Sequence, residues 1–171
     1  MSLSPRFHEA LRILAALTEK ERRSLAGLSR NISRSEAGLT AAAAPLLQRC
    51  TTVCNGLCCR NIVPDTLIDT TDFIFALSLD GALEKVIPVH LEKENPFYGT
   101  DCVFLKSGTG PCIFPGHLRP LVCITAFCGD DHGIRKEIAR VKWAFFRMEW
   151  FVRVLKIRRL AARMMKVFSI H

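Results

Sequence analysis

No apolar run in the chain reaches the ~18 residues that a spanning helix needs. The opening segment, MSLSPRFHEALRILAAL, is broken up by Arg6, His8, Glu9 and Arg12. The first absence argues against a transmembrane segment, and the second predicts no secretory signal, so the expected setting is the cytoplasm. Also missing are a glycine-rich cofactor loop, a clustered acid–base set outside the cysteines, any internal repeat, and any low-complexity tract beyond Ala41–Ala44. Without the first two, no catalytic residue can be assigned. Cysteine itself is absent from residues 1–49 and 129–171. All eight thiols fall in two short stretches between those limits.

What is present suffices for one folded domain. Of the 171 residues, 49% are apolar and mean hydropathy is +0.19, a composition that buries a core and argues against global disorder. The formal charge of +8 is unevenly placed. Residues 134–171 hold eleven Lys/Arg against two acids, whereas the remaining 133 residues hold 13 against 14. The excess basicity therefore belongs entirely to the C-terminal segment.

Apolar periodicity predicts a mainly α fold. Phe7, Leu11, Ile13, Leu14 and Leu17 share one side of a first helix. Thr18 followed three residues later by Glu21 is a capping-box pattern that starts a second helix, with its end expected near Asn31–Ser33. A third, from Ser35 to Leu47, is expected to exit at Pro45. Asp69-Thr70-Thr71-Asp72 reads as the start of a short helix over Phe73–Leu79. Residues 85–92 suggest a short strand that Pro88 would confine to a sheet edge. Asn95–Asp131 reads as turn-rich and irregular, and such a length needs something besides secondary structure to hold it. Residues from about Ile134 to Phe168 predict one long helix with two apolar stripes. Trp143, Phe146, Trp150, Ile157 and Met164 form one; Ala144, Met148, Phe151, Val152 and Leu155 form the other. Two stripes imply two packing neighbours. The expected architecture is a small single domain: N-terminal helices (1–49), an irregular cysteine-rich metal-binding centre (50–131) and a basic C-terminal helix (132–171).

The first cysteine group is Cys50-x3-Cys54-x3-Cys58-Cys59, and the second is Cys102-x9-Cys112-x10-Cys123-x4-Cys128. Gaps of three let successive sulfurs curl toward one centre, and Gly56 permits a tight backbone there. Adjacent side chains diverge, so Cys58 and Cys59 point to a second centre or to bridging within a multinuclear one. The second group alone supplies four thiolates, enough for tetrahedral zinc or for one iron–sulfur cluster. All-sulfur ligation favours zinc, iron–sulfur or copper(I) over magnesium or calcium. In a reducing compartment metal ligation outweighs disulfides, of which eight cysteines allow about 105 pairings. A catalytic Cys59 activated by Arg60 is a further alternative.

These thiols come with neighbours. The run Cys50…Cys54…Cys58-Cys59, Asp101-Cys102-x-Phe104-Leu105, Gly110-Pro111-Cys112-Ile113-Phe114, Arg119-Pro120-x-x-Cys123 and Phe127-Cys128 resembles the CxxCxxCC, or YkgJ-like, cysteine-cluster proteins. The resemblance covers about residues 50–128 and implies a zinc- or iron-chelating domain. A similar box in flagellin lysine-N-methylases is associated with an iron–sulfur cluster, which adds a modifying enzyme as an alternative role. The chain departs from that pattern in spacing (Cx3Cx3CC in place of Cx2Cx2CC), in Ile124 after Cys123 where Arg is common, and in one extra residue between Cys112 and Arg119. Phe114 or a neighbour also stands where Tyr is typical.

Among the other candidates, Arg119 is held extended by Pro120. From there it can donate to cluster sulfur, to loop carbonyls or to a carboxylate such as Asp101, offsetting thiolate charge. His117 and His132 lie near the second group as nitrogen ligands in reserve or as surface side chains. Asp130-Asp131 suits a cap on the last helix. The basic helix offers a surface for RNA, an anionic membrane or an acidic protein, or else simply a solvated face. The functional expectation is a metal-binding protein that chelates an iron–sulfur cluster or zinc through Cys50, Cys54, Cys58, Cys59, Cys102, Cys112, Cys123 and Cys128. A redox, electron-transfer or accessory role would follow. The alternative is a structural-zinc adaptor that works through its basic helix.

Overall fold

A computed structural model of the chain describes residues 3–52, 59, 67–93, 102–106, 112–127 and 132–168. The fold over these residues is mainly helical, as the apolar periodicity predicts, and no β-strand occurs among them. The helices are α1 (Ser4–Ala15), α2 (Glu19–Ala42), α3 (Ala44–Thr52), α4 (Thr70–Leu79), α5 (Leu83–Leu91), α6 (Leu121–Thr125) and α7 (Arg135–Phe168), the last preceded by a 3-10 turn over His132–Ile134. No helix among the described residues is long and apolar enough to cross a membrane.

Two helix starts follow the capping chemistry read in the sequence. The Glu21 N–H donates to Thr18 Oγ1 (3.3 Å), while the Thr18 N–H donates to Glu21 Oε2 (2.8 Å), so two orphan donors at the start of α2 are satisfied reciprocally. At α4, Asp69 Oδ1 accepts from the Thr71 and Asp72 N–H groups, and the Asp69 N–H donates to Asp72 Oδ2 (2.9 Å). Residues 71–77 of α4 are buried on every side, which makes it the central helix. α1 packs against α4, α2 lies along α7, and α4 also touches α2, α5 and α7. Edge-to-face ring pairs sew this frame together, Phe7 to Phe73 at 5.6 Å and Phe75 to Phe145 at 5.1 Å.

Three sequence expectations are corrected here. α2 does not end near Asn31–Ser33 but runs to Ala42, because Leu25, Ser29, Ile32, Glu36 and Leu39 continue one buried stripe beneath an exposed Arg30, Asn31 and Arg34. The third helix accordingly begins at Ala44, not Ser35. Pro45 opens it, in a first turn where a missing N–H costs nothing. The strand expected over 85–92 is α5. Leu83, Ile87 and Leu91 recur every four residues on its buried side, and Pro88 sits inside it at the loss of one helical hydrogen bond.

The two stripes of α7 fare differently. Ala144, Met148, Val152 and Leu155 are buried, with Phe151 half-buried beside them. Trp143, Phe146, Trp150, Ile157 and Met164 face outward, with Trp143 and Trp150 each 61% exposed and Ile157 67% exposed. The expectation of two packing neighbours is therefore wrong for this stripe. Helical spacing puts residues on a common face but does not provide a neighbour to cover it. The cap expected from Asp130-Asp131 lies outside the described residues.

Candidate metal centre

The centre expected to be irregular over 50–131 contains α4, α5 and α6; among the described residues, only segments such as 102–106 and 112–120 are irregular, and these are tied together by a few backbone hydrogen bonds. The Cys102 N–H donates to the Cys59 carbonyl at 2.8 Å, which joins the end of the first cysteine group to the start of the second. Leu105 and Cys112 form an isolated antiparallel bridge, and the Ile113 N–H donates to the Phe104 carbonyl at 2.9 Å. Residues 102–106 and 112–114 thus run side by side. Cys123 enters from α6, whose first N–H, that of Leu121, donates to Asp72 Oδ1 at 2.8 Å.

The frame holds these segments through aromatic rings and one imidazole. Phe104 is buried and packs edge-to-face on Phe73 of α4 (6.2 Å) and on Phe114 (5.0 Å). His90, from the last turn of α5, donates its Nδ1–H to the Val103 carbonyl at 2.7 Å. The Cys102 and Cys112 segments are therefore anchored immediately beside their sulfurs, and a ligand loop held this way keeps its donor positions.

Electrostatics links the four described thiols. Cys102 is pushed up to about 11, first by burial and then by the neighbouring Cys112 and Cys59, with a backbone hydrogen bond from Phe104 opposing. Burial pushes Cys112 up, against a backbone hydrogen bond from Phe114 and the Arg119 guanidinium. Cys123 is raised by burial, then by Cys102 and Cys112, by the Asp72 carboxylate and by Cys59. Cys102 and Cys112 share one device: each sulfur is approached by the backbone N–H two residues on, a donor that stabilises thiolate charge. Partly buried sulfurs whose negative charges oppose one another suit a cation that would reverse the sign of the local field and deprotonate them. Among the described residues, no three His, Cys, Asp or Glu side chains are arranged closely enough to enclose a metal ion. Cys54, Cys58 and Cys128 lie outside the described residues, as does the side chain of Cys50.

Arg119 does not find its expected partner among the described residues, since Asp101 lies outside them. Its charge acts on Cys112 and on Glu36 of α2, and its Nε is buried without a hydrogen-bond partner. His117 is exposed, and so is His132, whose Nε2 lies 3.4 Å from Arg135 Nη2. Neither approaches the thiols as a described contact.

Sequence reasoning missed a buried acidic pair behind the cysteines. Glu36 has no exposed surface, and both its carboxylate oxygens lack hydrogen-bond partners. Burial, and then the charge of Asp72, push it up to about 8, while the Arg119 guanidinium and main chain pull the other way. Asp72 is raised by burial and by Asp69, against the two N–H groups that it accepts. The signal was available, because Glu36 occupies an inward position of the stripe that ends at Leu39. It becomes visible only once α2 is extended past Ser33. No family model, curated protein or solved structure matches the chain, and the site's chemistry stands on these residues alone.

Proposed function

We propose that the chain is a metal-binding protein in which the two cysteine groups jointly ligate an iron–sulfur cluster or zinc. The observation that carries this reading is the meeting of the groups. Cys59 from the first is hydrogen-bonded through the backbone to Cys102 of the second, and Cys102 and Cys112 lie on adjacent, frame-anchored segments. Sulfur-only ligation selects soft or borderline metals, and eight thiolates suffice for two four-sulfur sites. The reducing cytoplasm, where such thiols remain available, is the proposed setting. Arg119 serves as a charge-balancing neighbour of Cys112 and not as a ligand.

A bound iron–sulfur cluster would supply one-electron redox chemistry, and zinc would supply a structural crosslink. The protein's own part is the same in both cases: to gather sulfurs from distant stretches, limit water and aim backbone donors at the thiolates. The YkgJ-like resemblance of the cysteine box favours iron. Anaerobic purification followed by metal analysis and a visible spectrum tests the reading. A brown protein absorbing near ~400 nm identifies a cluster, and colourless protein with stoichiometric zinc identifies a zinc site. Cys102→Ser and Cys123→Ser should each lower metal content while the helical circular dichroism is retained. Metal-free wild-type protein with all thiols titratable would refute it.

A further inference from the structure

The outward face of α7 combines two properties that rarely coincide on a solvated helix. Trp143, Phe146, Trp150, Ile157, Leu160 and Met164 are all exposed, and they follow one another along a single side from residue 143 to residue 164, about 32 Å of helix. Trp143 and Phe146 stack on each other at 5.2 Å instead of inserting into a neighbour. The opposite side of the same helix is covered by α2, α4 and α6, so the domain lies behind α7 and leaves this row outermost. An exposed row of large apolar side chains of this length marks a contact surface.

The charges flanking the row say what it contacts. At 100° per residue, Arg140, Arg147 and Arg158 fall along one margin of the apolar arc, Lys142 falls on the other edge beside Leu160, and Arg153 lies just inside that edge. All five are exposed. The two carboxylates of the helix sit further round. Glu137 pairs with Arg140 at 3.6 Å and Glu149 with Arg153, while no carboxylate among the described residues pairs with Lys142, Arg147 or Arg158. Lys156 and Arg159 turn the other way and fasten α7 to the frame, to Glu9 and to Glu21 with the Ala16 carbonyl. Cations are thus present on both edges of the outward row, and carboxylates are absent from it.

From this arrangement we infer that α7 docks the protein on an anionic phospholipid surface. The helix lies in the plane of the interface with its outer row at the boundary of headgroups and acyl chains and its flanking cations at the phosphates. An apolar stripe bordered on both sides by Lys/Arg and carrying Trp is the layout of an interfacial helix. Tryptophan prefers the headgroup level, where one edge of the ring is apolar and the other is wet. A second copy of the chain is a poorer occupant, because face-to-face pairing would set arginine margin against arginine margin. An acidic protein would need a complementary groove for a straight row of bulky side chains, whereas a lipid surface accommodates it without shape matching. The eleven cations in the segment, and the absence of a sufficiently apolar run, keep the helix on the membrane and not across it.

The chain's only two tryptophans are both in this row, so the surface carries its own probe. Intact protein is mixed with phosphatidylcholine vesicles, with and without about one-third phosphatidylserine, and pelleting is measured alongside Trp emission. Expected are binding to the anionic vesicles alone, a blue shift on binding, quenching by brominated acyl chains, and release by salt. Reversing Arg147 and Arg158 together (R147E with R158E) should weaken binding at least about tenfold, and Ile157→Ser should also reduce it. All three positions are exposed, so circular dichroism should be unchanged. Pelleting with no Trp shift would place the contact on another surface and overturn the inference. So would equal binding to uncharged vesicles. It would likewise fall if the same variants left vesicle binding intact and abolished binding to single-stranded RNA, to an acidic peptide or to a second copy.

Discussion

The helical frame and the cysteine segments of this protein are held by different forces. In the frame, α4 is buried on every side, and α1, α2, α5 and α7 close around it through residues such as Phe7, Ile74, Phe75, Ile87 and Met148, all essentially without exposed surface. Apolar burial alone is enough to order such a body. Among the described residues, the segments around Cys102 and Cys112 contribute chiefly Phe104, Phe114 and Leu118 to that core and exchange a handful of backbone hydrogen bonds. Their remaining donors and acceptors do not form a regular ladder. The contrast teaches that the frame folds on the strength of its own residues, whereas the cysteine segments have less of that support, and under the proposed function a metal would supply the rest. Metal removal should accordingly loosen the segments and spare the helices.

The largest effect expected from a single substitution lies in the frame. Phe75→Ala would empty a fully buried position against Phe145 and should cost about 3–5 kcal/mol, measurable as a lowered denaturant midpoint with or without metal. If chelation of the metal removed as much helical signal as Phe75→Ala does, the distinction between the two regions would be lost.

Glu36 stands where the regions meet, and its effect depends on pH. Its folded-state value lies near 8 against an ordinary 4.5, so the folded protein binds this proton more tightly than the unfolded chain does. The side chain makes no demand on stability below about pH 4.5, where it is protonated in both states. As pH rises through that value the unfolded chain gains by ionising, and stability falls until the folded carboxyl also ionises near pH 8. Across this window the slope approaches about 1.4 kcal/mol per pH unit. Glu36→Gln should abolish that decline, which urea titrations at several pH values would detect. An unchanged slope would show that Glu36 is not the group responsible.

How much of this was legible in the sequence follows the same division. The Thr18–Glu21 capping box, the helix start at Asp69–Asp72 and the long C-terminal helix could be read directly, because Thr18, Glu21, Asp69 and Asp72 act on backbone within three residues of themselves. The strand expected at 85–92 failed because Val86, Ile87 and Val89 favour strands locally, whereas the buried spacing of Leu83, Ile87 and Leu91 is set by the packing of α5. The exposure of Trp143 and Trp150 was hidden for a related reason, since coverage is a property of the neighbour. At the site, the thiols could be named as candidate ligands from composition and spacing. That Cys59 meets Cys102 could not, because a contact across 43 residues of irregular chain leaves no periodic trace.

The smallest predicted effect isolates the seam between the two regions. His90 belongs to the frame, and its Nδ1–H reaches the Val103 carbonyl, one residue from Cys102. His90→Ala should cost the protein only about 1 kcal/mol, the net worth of one intramolecular hydrogen bond. The cost should not be spread evenly. Hydrogen exchange at Phe104 and Leu105 should accelerate while that of α4 and α7 remains at the wild-type level, because the frame keeps all its buried contacts. The affinity for metal should fall by a similar factor, since a ligand loop freed of its anchor must be ordered again on binding. Equal acceleration in α4 would mean that the seam belongs to the core, and that the frame and the cysteine segments fold as one.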